Sequence, residues 1–270
     1  MDAGRSSSIR QRNSIPYTSP VNAALVYSAD YDISLPGLDW LHPFDGRKFS
    51  RAWSRVCALT AGACEQILLR PEAPIAASDL LRIHSRGYLE SLRSSSVVAK
   101  ALEVRPLSWL PSTVVERRIL KPMRFACAGT LLAMRHALKN DAITMNLGGG
   151  FHHAFRDHGE GFCIYADVAA AHAAVRAEGL LSANDPVAII DLDAHRGNGV
   201  WNLCGSDPSV RVLDVYNAQV YPGLFPGSIE ELPFILNDDI KNCSMNYHNF
   251  SYVPSQQLLL YHSFTAAQKQ

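Results

Sequence analysis

Residues 187–199 read VAIIDLDAHRGNG, an apolar run that passes into a charged loop containing two glycines. The run at 187–192 is short, rich in β-branched residues and bounded by polar ones, so we predict a buried strand there. The same character recurs at 142–147 and at 210–215, and a shorter buried strand is predicted at 24–27. These segments are the framework of the predicted domain.

Helical patterns lie between the predicted strands. Residues 124–138 form one, and the alanine-rich residues 167–179 form another, with Asp167 placed to cap its start and Gly179 its end. This alternation indicates βαβ units, and hence an α/β fold in which helices cover both faces of an open parallel sheet. In such sheets the site lies beyond the carboxyl ends of the strands. The chemistry is therefore expected just after the strands, in residues 148–153 and 191–198.

An acidic and histidine-containing motif follows the strand at 187–192. Asp193 and His195 are two positions apart, so they project to the same side of an extended chain. A carboxylate and an imidazole are donors that zinc accepts, and a catalytic zinc site takes three protein ligands and one open position. Taken alone, the motif fits equally well a strand-end turn in which Asp191 and Asp193 accept hydrogen bonds from loop amides.

Adjacent histidines follow the strand at 142–147, in the sequence GGGFHH of residues 148–153. The glycines allow a sharp turn or a close approach to a ligand. Histidine is the side chain best suited to proton transfer near neutral pH. A single histidine here would more often be a hydrogen-bonded core residue, but His152 and His153 together, beside the acidic motif, indicate catalysis.

Further blocks accompany residues 148–153 and 191–199. They are GFCIYAD at 161–167, YS at 27–28, LHPFD at 41–45, HS at 84–85, LKP at 120–122 and DVYN at 214–217. In order and spacing these blocks resemble the active-site blocks of class IV histone deacetylases, members of the arginase/deacetylase superfamily. The resemblance covers residues 24–223. It implies the open α/β sheet of that superfamily and a hydrolase that uses a zinc-bound water to remove acyl groups from lysine.

The resemblance also implies a role for each matched side chain. Asp193 and His195 correspond to two of the zinc ligands. His153 corresponds to the general base, and His152 to its electrostatic partner and proton carrier. Asp191 corresponds to the carboxylate that orients His152.

Four other positions of the site are matched in the same way. Asn198 stands where many relatives have aspartate, and it would orient the second histidine by a neutral hydrogen bond. Asp191 would also help bind a structural potassium ion, with Asp214 near the same ion. Gly161 and Phe162 correspond to the wall of the tunnel that holds the acyl-lysine stem.

The resemblance ends at residue 223. Relatives continue with an aspartate that is the third zinc ligand and a tyrosine that stabilises the oxyanion, and neither can be identified in this sequence. Residues of the right type, without the expected surroundings, are Asp238, Asp239, Tyr247, Tyr252 and Tyr261. We therefore expect residues 21–223 to form a catalytic domain shortened at its C-terminus, and residues 224–270 to form a divergent tail.

Three functions are compatible with these features. The first is a zinc-dependent hydrolase of acyl-lysine in histones or other proteins, a regulator of chromatin and transcription, with little activity expected while one ligand is unaccounted for. The second is an inactive relative that binds partners such as a corepressor complex. The third is an amidohydrolase acting on small acetylated amines. Zinc with turnover, partner binding without turnover, and preference for free polyamines would distinguish them.

The composition indicates which binding partners and which cellular compartment to expect. Lys plus Arg balances Asp plus Glu at 25 each, so no direct nucleic-acid binding is expected. We find neither a membrane-spanning apolar run nor a secretory signal. The six cysteines form no C-x-x-C pair, so buried free thiols in a reducing compartment are expected.

The first twenty residues contain three arginines, five serines and a single acid, Asp2. We expect a disordered tail at residues 1–20, and an organelle transit peptide is an open alternative. The resemblance implies a nuclear protein with a further cytoplasmic population, and the tail leaves organelle import open.

Overall fold

The computed structural model describes residues 22–35 and 45–217 in full, and the backbone alone at 231–232 and 243–247. The tail at 1–20, the block at 41–44 and most of residues 224–270 lie outside the described residues. So do Asp238, Asp239, Tyr252, Tyr261 and the side chain of Tyr247.

The strands of the described residues form two hydrogen-bonded groups. They are β1 (Ala23–Val26), β2 (Leu68–Leu69), β3 (Ile143–Asn146), β4 (Val187–Asp191), β5 (Val210–Asn217), β6 (Glu231–Leu232) and β7 (Cys243–Tyr247). The first group has the order β2-β1-β3, and the second has the order β4-β5-β7-β6. The four strands predicted from the sequence are β1, β3, β4 and β5.

Parallel pairing connects the predicted strands. Strand β1 is parallel to both β2 and β3, and β4 is parallel to β5. Parallel neighbours need a crossover connection, which helices supply here. The predicted α/β fold with a parallel sheet is therefore confirmed. The pairs β5–β7 and β6–β7 are antiparallel and were not predicted, because residues 224–270 lack a clear strand pattern.

The α-helices of the described residues vary from one turn to twenty residues. They are α1 (Lys48–Leu59), α2 (Ala77–Leu80), α3 (Arg86–Ser91), α4 (Ser95–Ala101), α5 (Ser112–Val115), α6 (Lys121–Asn140), α7 (Asp167–Ala177) and α8 (Asn198–Cys204). Short 3-10 turns lie at Ala29–Tyr31, Ala63–Ile67 and Arg105–Trp109, and a π-turn at Glu116–Leu120 leads into α6.

Helix α6 is central to the core, since it contacts α7, β1 and β3. Its buried residues include Met123, Ala126, Cys127 and Leu131, which recur at the three- and four-residue spacing of one helix face. Small buried alanines of α7 let the two helices approach closely. The helix predicted at 124–138 is confirmed, and it extends a few residues beyond the prediction at each end.

The helix predicted at 167–179 also forms, but the expected cap by Asp167 is wrong. Helix α7 starts at Asp167 itself, and no side chain caps its N-terminus. The Asp167 carboxylate accepts hydrogen bonds from the loop after β3 instead, as described below. Gly179 does end the helix, at φ 73°, and the N–H of Leu180 donates to the carbonyl of Val175.

The prediction that β3 is fully buried is also wrong. Thr144 and Asn146 face α6, where Thr144 lies 2.9 Å from His136 and Asn146 donates to the carbonyl of Ala126. Because side chains alternate along a strand, Ile143 and Met145 point the other way, and they are 64% and 48% exposed. An apolar run alone does not reveal which face of a strand is covered.

The cysteines within the described residues are free thiols, and all of them are buried except Cys57, which is half-buried. None of the helices described is both long and apolar enough to span a membrane.

His84, between α2 and α3, binds the backbone of two segments that flank the site. The carbonyl of Phe155 lies 2.8 Å from its Nδ1, and the N–H of Ala166 donates to its Nε2 at 3.0 Å. Since a carbonyl only accepts and an amide N–H only donates, the imidazole is neutral, with its proton on Nδ1. Burial lowers the pKa of His84 to about 4.

We expect His84 to make the fold sensitive to acid. Its pKa is about 4 in the folded chain, below the ordinary 6.5 of an unfolded one. Its contribution to the free energy of unfolding is therefore present above pH 6.5 and lost as the pH falls toward 4. The difference corresponds to about 3 kcal/mol. Urea unfolding of wild type and His84→Gln across this range should show a less stable variant whose stability depends less on pH. Equal pH dependence of the two proteins would contradict the assignment.

Candidate active site

The loop after β3 is held in place by one buried carboxylate. Asp167 accepts hydrogen bonds from the Thr130 hydroxyl at 2.6 Å, the Gly150 N–H at 3.1 Å and the Phe151 N–H at 2.8 Å. Thr130 belongs to α6, so the loop is connected to the central helix. This attachment fixes the position of the two histidines that follow.

Glycine is the residue type that fits position 149 of this loop. Its φ is 85°, a region that other residues rarely adopt. A Cβ atom there would lie 2.2 Å from Asp167 Oδ2 and 2.6 Å from the Thr130 hydroxyl. The close approach of backbone and carboxylate therefore requires glycine.

His152 is paired with a carboxylate from β4. Both His152 and Asp191 are buried, and Nδ1 of the imidazole lies 2.6 Å from Asp191 Oδ2. Burial alone would lower the pKa of His152, but the charge of Asp191 and this hydrogen bond outweigh it, so the pKa is raised. The proton on His152 is therefore bound more tightly than on an ordinary histidine.

His153 is paired with a neutral amide. Its Nδ1 lies 2.7 Å from Oδ1 of Asn198, the first residue of α8, and the Gly199 N–H donates to the same oxygen at 3.0 Å. Because an amide oxygen only accepts, Nδ1 bears the proton, and Nε2 is the unprotonated nitrogen of the neutral ring. Burial and the nearby charge of His152 lower the pKa of His153 to about 3. The two rings, with centroids 4.1 Å apart, thus have pKa values that are shifted in opposite directions.

The acidic motif combines both interpretations drawn from the sequence. As in a strand-end turn, the Asp193 N–H donates to Asp191 and the His195 N–H donates to Asp193. The side chains of Asp193 and His195 also converge, with His195 Nδ1 2.8 Å from Asp193 Oδ1. His152 Nε2 is 3.8 Å from that same oxygen. The pair thus faces the tandem histidines.

The converging pair suits a zinc ion by type, since zinc accepts imidazole nitrogen and carboxylate oxygen. A catalytic zinc site needs three protein ligands. Within the described residues, no group of three or more His, Cys, Asp or Glu side chains is arranged to hold a metal ion. A zinc ion bound here would thus find Asp193 and His195 in the described residues, and its third donor would have to come from outside them.

Asp191 and Asp214 form a second set of oxygen donors. They are opposite each other in the β4–β5 register, and both are buried. Asp214 Oδ2 accepts from the Gly197 N–H at 2.8 Å, whereas Oδ1 is buried without a hydrogen-bond partner among the described residues. Burial and the charge of Asp191 raise the pKa of Asp214 to about 7. An unsatisfied carboxylate oxygen beside a second carboxylate fits a bound cation.

Gly161 and Phe162 lie against the second histidine and helix α4. Gly161 has φ 50°, and a Cβ atom there would lie 2.5 Å from Cδ2 of His153. Phe162 is half-buried and has φ 66°, a conformation that strains a residue with a side chain. Its N–H donates to the carbonyl of Ala101. The absence of a side chain at Gly161 thus lets the backbone pack directly against the ring of His153.

The structure places every predicted site residue around the carboxyl ends of β3, β4 and β5. It also adds residues that sequence reasoning missed. Glu160 accepts a hydrogen bond from the Asn198 amide. Lys48 of α1 has a lowered pKa, because burial outweighs the opposing electrostatic effects of Cys163 and Asp193. Glu160 immediately precedes the GFCIYAD block, and that proximity was the available signal.

Comparisons of the sequence with a family model and with curated proteins agree on one family. A family model described as the histone deacetylase domain matches residues 42–256, so the match passes residue 223, where the sequence analysis ended the resemblance. Histone deacetylase 2 of Arabidopsis thaliana is 39% identical over 201 residues, which are 74% of this chain and 50% of that protein. The acetoin utilization protein AcuC of Bacillus subtilis is 41% identical over 101 residues, 37% of this chain and 24% of that protein. The chain thus spans at most half the length of these relatives.

Solved structures give the same fold. The crystal structure of the HDA15 HD domain superposes with a TM-score of 0.58 at 20% identity, and covers 76% of this chain and 57% of that one. An HDAC homolog from Aquifex aeolicus superposes with a TM-score of 0.55 at 22% identity, and covers 76% and 53%. At these identities the likeness concerns the fold alone.

Replacing Gly149 with alanine should damage the loop more than the conformation of its backbone alone explains. Gly179 is a matched control, because it has φ 73° but an added methyl group there would meet no atom within 4 Å. Gly179→Ala should cost about 1 kcal/mol for the left-handed conformation. Gly149→Ala adds a collision with Asp167 and should cost about 1–3 kcal/mol more, as at other overpacked sites. Urea unfolding measures both, and equal losses would show that the Asp167 contact does not require glycine.

Proposed function

The chain belongs to the histone deacetylase family, and we propose that it is a zinc-dependent hydrolase of the class IV type that removes acyl groups from lysine side chains. The observation that carries this proposal is the pair His152 and His153, held by a carboxylate and an amide respectively, facing the converging donors Asp193 and His195. Proton transfer and metal binding are the two requirements of amide hydrolysis in such a site.

Asp193 and His195 would hold the zinc, with a third donor from outside the described residues. When bound, zinc polarises the acyl carbonyl and lowers the pKa of a water molecule toward neutrality. Asp191 and Asp214 would hold a potassium ion, because the unsatisfied oxygen of Asp214 suits a cation with oxygen ligands. That ion would offset two carboxylates that face each other across β4 and β5.

The tandem histidines divide the proton chemistry. His153 donates its Nδ1 proton to Asn198, so Nε2 is the unprotonated nitrogen and would take a proton from the attacking water. The same nitrogen can return that proton to the leaving amine. His152, with a pKa raised by Asp191, provides positive charge beside the oxyanion and a second proton carrier. Gly161, whose backbone packs against the His153 ring, and Phe162 would form part of the wall of the tunnel for the acyl-lysine stem.

We propose acyl-lysine in histone tails or other proteins as the substrate, with a role in chromatin and transcription in the nucleus and a corepressor complex as partner. One observation favours an alternative. Since the described residues provide two zinc donors rather than three, a relative that binds the family's partners without turnover is the second candidate.

The roles assigned within the motif predict different losses for two substitutions. His153→Ala should abolish hydrolysis of an acetyl-lysine peptide and leave zinc content unchanged, because a general base does not hold the ion. Asp193→Ala should lose the zinc itself. Zinc per chain, measured by atomic absorption, and peptide turnover are the two readouts. His136→Ala, a histidine on α6 that bonds Thr144, is the control and should retain both.

The wild-type chain decides between the two candidate functions in the same experiment. Bound zinc with turnover supports the hydrolase. A wild-type chain without zinc and without turnover would overturn it in favour of the partner-binding candidate. Zinc lost from His153→Ala but retained by Asp193→Ala would show that the roles are assigned wrongly.

A further inference from the structure

We propose that Glu160 is a positioning residue for the general base: through the side-chain amide of Asn198, it determines which nitrogen of His153 carries the proton. The inference rests on the role proposed above for His153 in acyl-lysine hydrolysis. It adds a carboxylate to the site that neither the sequence analysis nor the family resemblance assigned.

The Asn198 amide bridges two side chains. Its Nδ2 donates to Glu160 Oε1 at 2.6 Å, and its Oδ1 lies 2.7 Å from Nδ1 of His153. A carboxylate accepts hydrogen bonds and cannot donate them, so the NH₂ end of the amide must face Glu160. The oxygen end then faces His153, which must donate from Nδ1. The short distance to Glu160 is typical of a charge-assisted bond.

The opposite orientation of the amide would remove the base. If the amide turned end over end, its oxygen would face the Glu160 carboxylate, and two acceptors would repel each other. Its NH₂ group would face Nδ1 of His153, which would then have to accept a hydrogen bond. The neutral imidazole would place its proton on Nε2, and Nε2 could no longer take a proton from water. Glu160 therefore favours the competent tautomer, together with the Gly199 N–H that donates to Asn198 Oδ1.

The position of Glu160 is itself fixed by the neighbouring turn. Its carbonyl accepts from the Cys163 N–H at 2.8 Å, in a bridge that closes the turn containing Gly161 and Phe162. The side chain is 31% exposed, and Oε2 lies 3.8 Å from Nε2 of His158. His158 is stacked on Phe155, with ring centroids 4.4 Å apart. One carboxylate oxygen thus reaches the buried amide, while the other faces a histidine at the surface.

In this site the negative charge of Glu160 lies one hydrogen bond farther from His153 than an aspartate at position 198 would. An aspartate at position 198, as the resemblance describes for many relatives, would place a carboxylate directly on His153. Here Asn198 contacts the imidazole and Glu160 supplies the charge from behind it. A charge farther away raises the pKa of a histidine less. The pair Asn198 and Glu160 thus preserves the tautomer without making His153 a stronger base.

The test is the tautomer of His153, measured by ¹⁵N NMR on the metal-free 270-residue chain, with the His153→Ala spectrum to assign the signals. Wild type should show a protonated Nδ1 and an unprotonated Nε2. Glu160→Ala should show both tautomers. In the zinc-loaded protein its kcat should be lower by about 10-fold, as for other residues that orient a catalytic group, with KM nearly unchanged. Glu160→Gln, whose amide oxygen can accept the same bond, should retain the tautomer and most of the turnover. Glu90→Ala, at an exposed glutamate of α3, is the control and should match wild type.

A second variant separates positioning from a merely structural effect. In Asn198→Asp, the new carboxylate accepts from His153 directly but lies against Glu160, so the two carboxylates repel. Glu160→Ala should therefore be harmful in the wild-type background and beneficial to both stability and turnover in the Asn198→Asp background. Such a reversal of sign is not expected of a residue that only supports the fold.

The outcomes distinguish this inference from the proposed function. A tautomer that changes in Glu160→Ala, in a chain without turnover, would support the positioning role and count against hydrolysis. An unchanged single tautomer in Glu160→Ala, with or without turnover, would overturn the positioning role.

Discussion

The site depends on a carboxylate that is buried at the start of a helix. Asp167 is fully buried and receives hydrogen bonds from one hydroxyl and two backbone amides. Burial raises its pKa, whereas each of those donors stabilises its charge. An unpaired charge at this depth would be costly, so the loop amides and the carboxylate require each other. The glycines at 148–150 follow β3 and let the loop approach Asp167. The same loop leads directly to His152 and His153. A single buried interaction therefore joins the core helices α6 and α7 to the proposed catalytic side chains.

Three more buried carboxylates lie around the ends of β4 and β5: Asp191, Asp193 and Asp214. Each accepts hydrogen bonds from loop amides or from a histidine, yet one oxygen of Asp214 has no hydrogen-bond partner in the part of the chain that the structure describes. Carboxylates crowded in a buried place raise one another's pKa or bind cations. Burial, and then the charge of Asp191 directly across the strand pair, raise the pKa of Asp214 in this way. The physical character of the crevice is thus an excess of negative charge, which suits metal ions and a protonated His152.

Patterns in the sequence predicted the framework because the relevant forces are local. Apolar runs followed by turn residues identified β1, β3, β4 and β5, and helical spacing identified α6 and α7 within a few residues. The contact between Asp193 and His195 was predictable, because residue type and strand position coincide there. Contacts between distant residues were not predictable in this way. Asp167 looked like a helix cap because its sequence position allows one, and only the packed loop shows that its carboxylate is used elsewhere. The exposure of Ile143 and Met145 depends on which face of β3 another element covers, and a periodicity of two cannot state that.

The two adjacent histidines differ in pKa because their hydrogen-bond partners differ. His152 and His153 are both buried, and their rings are in close contact, so burial acts on both in the same direction. Their pKa values nevertheless move apart, because a carboxylate holds one Nδ1 and an amide holds the other. The carboxylate stabilises a proton on His152, and that added charge in turn opposes a second proton on His153. The opposite pKa shifts of the two histidines therefore need no difference in depth or exposure. They follow from the choice of Asp191 and Asn198 at the ends of neighbouring elements.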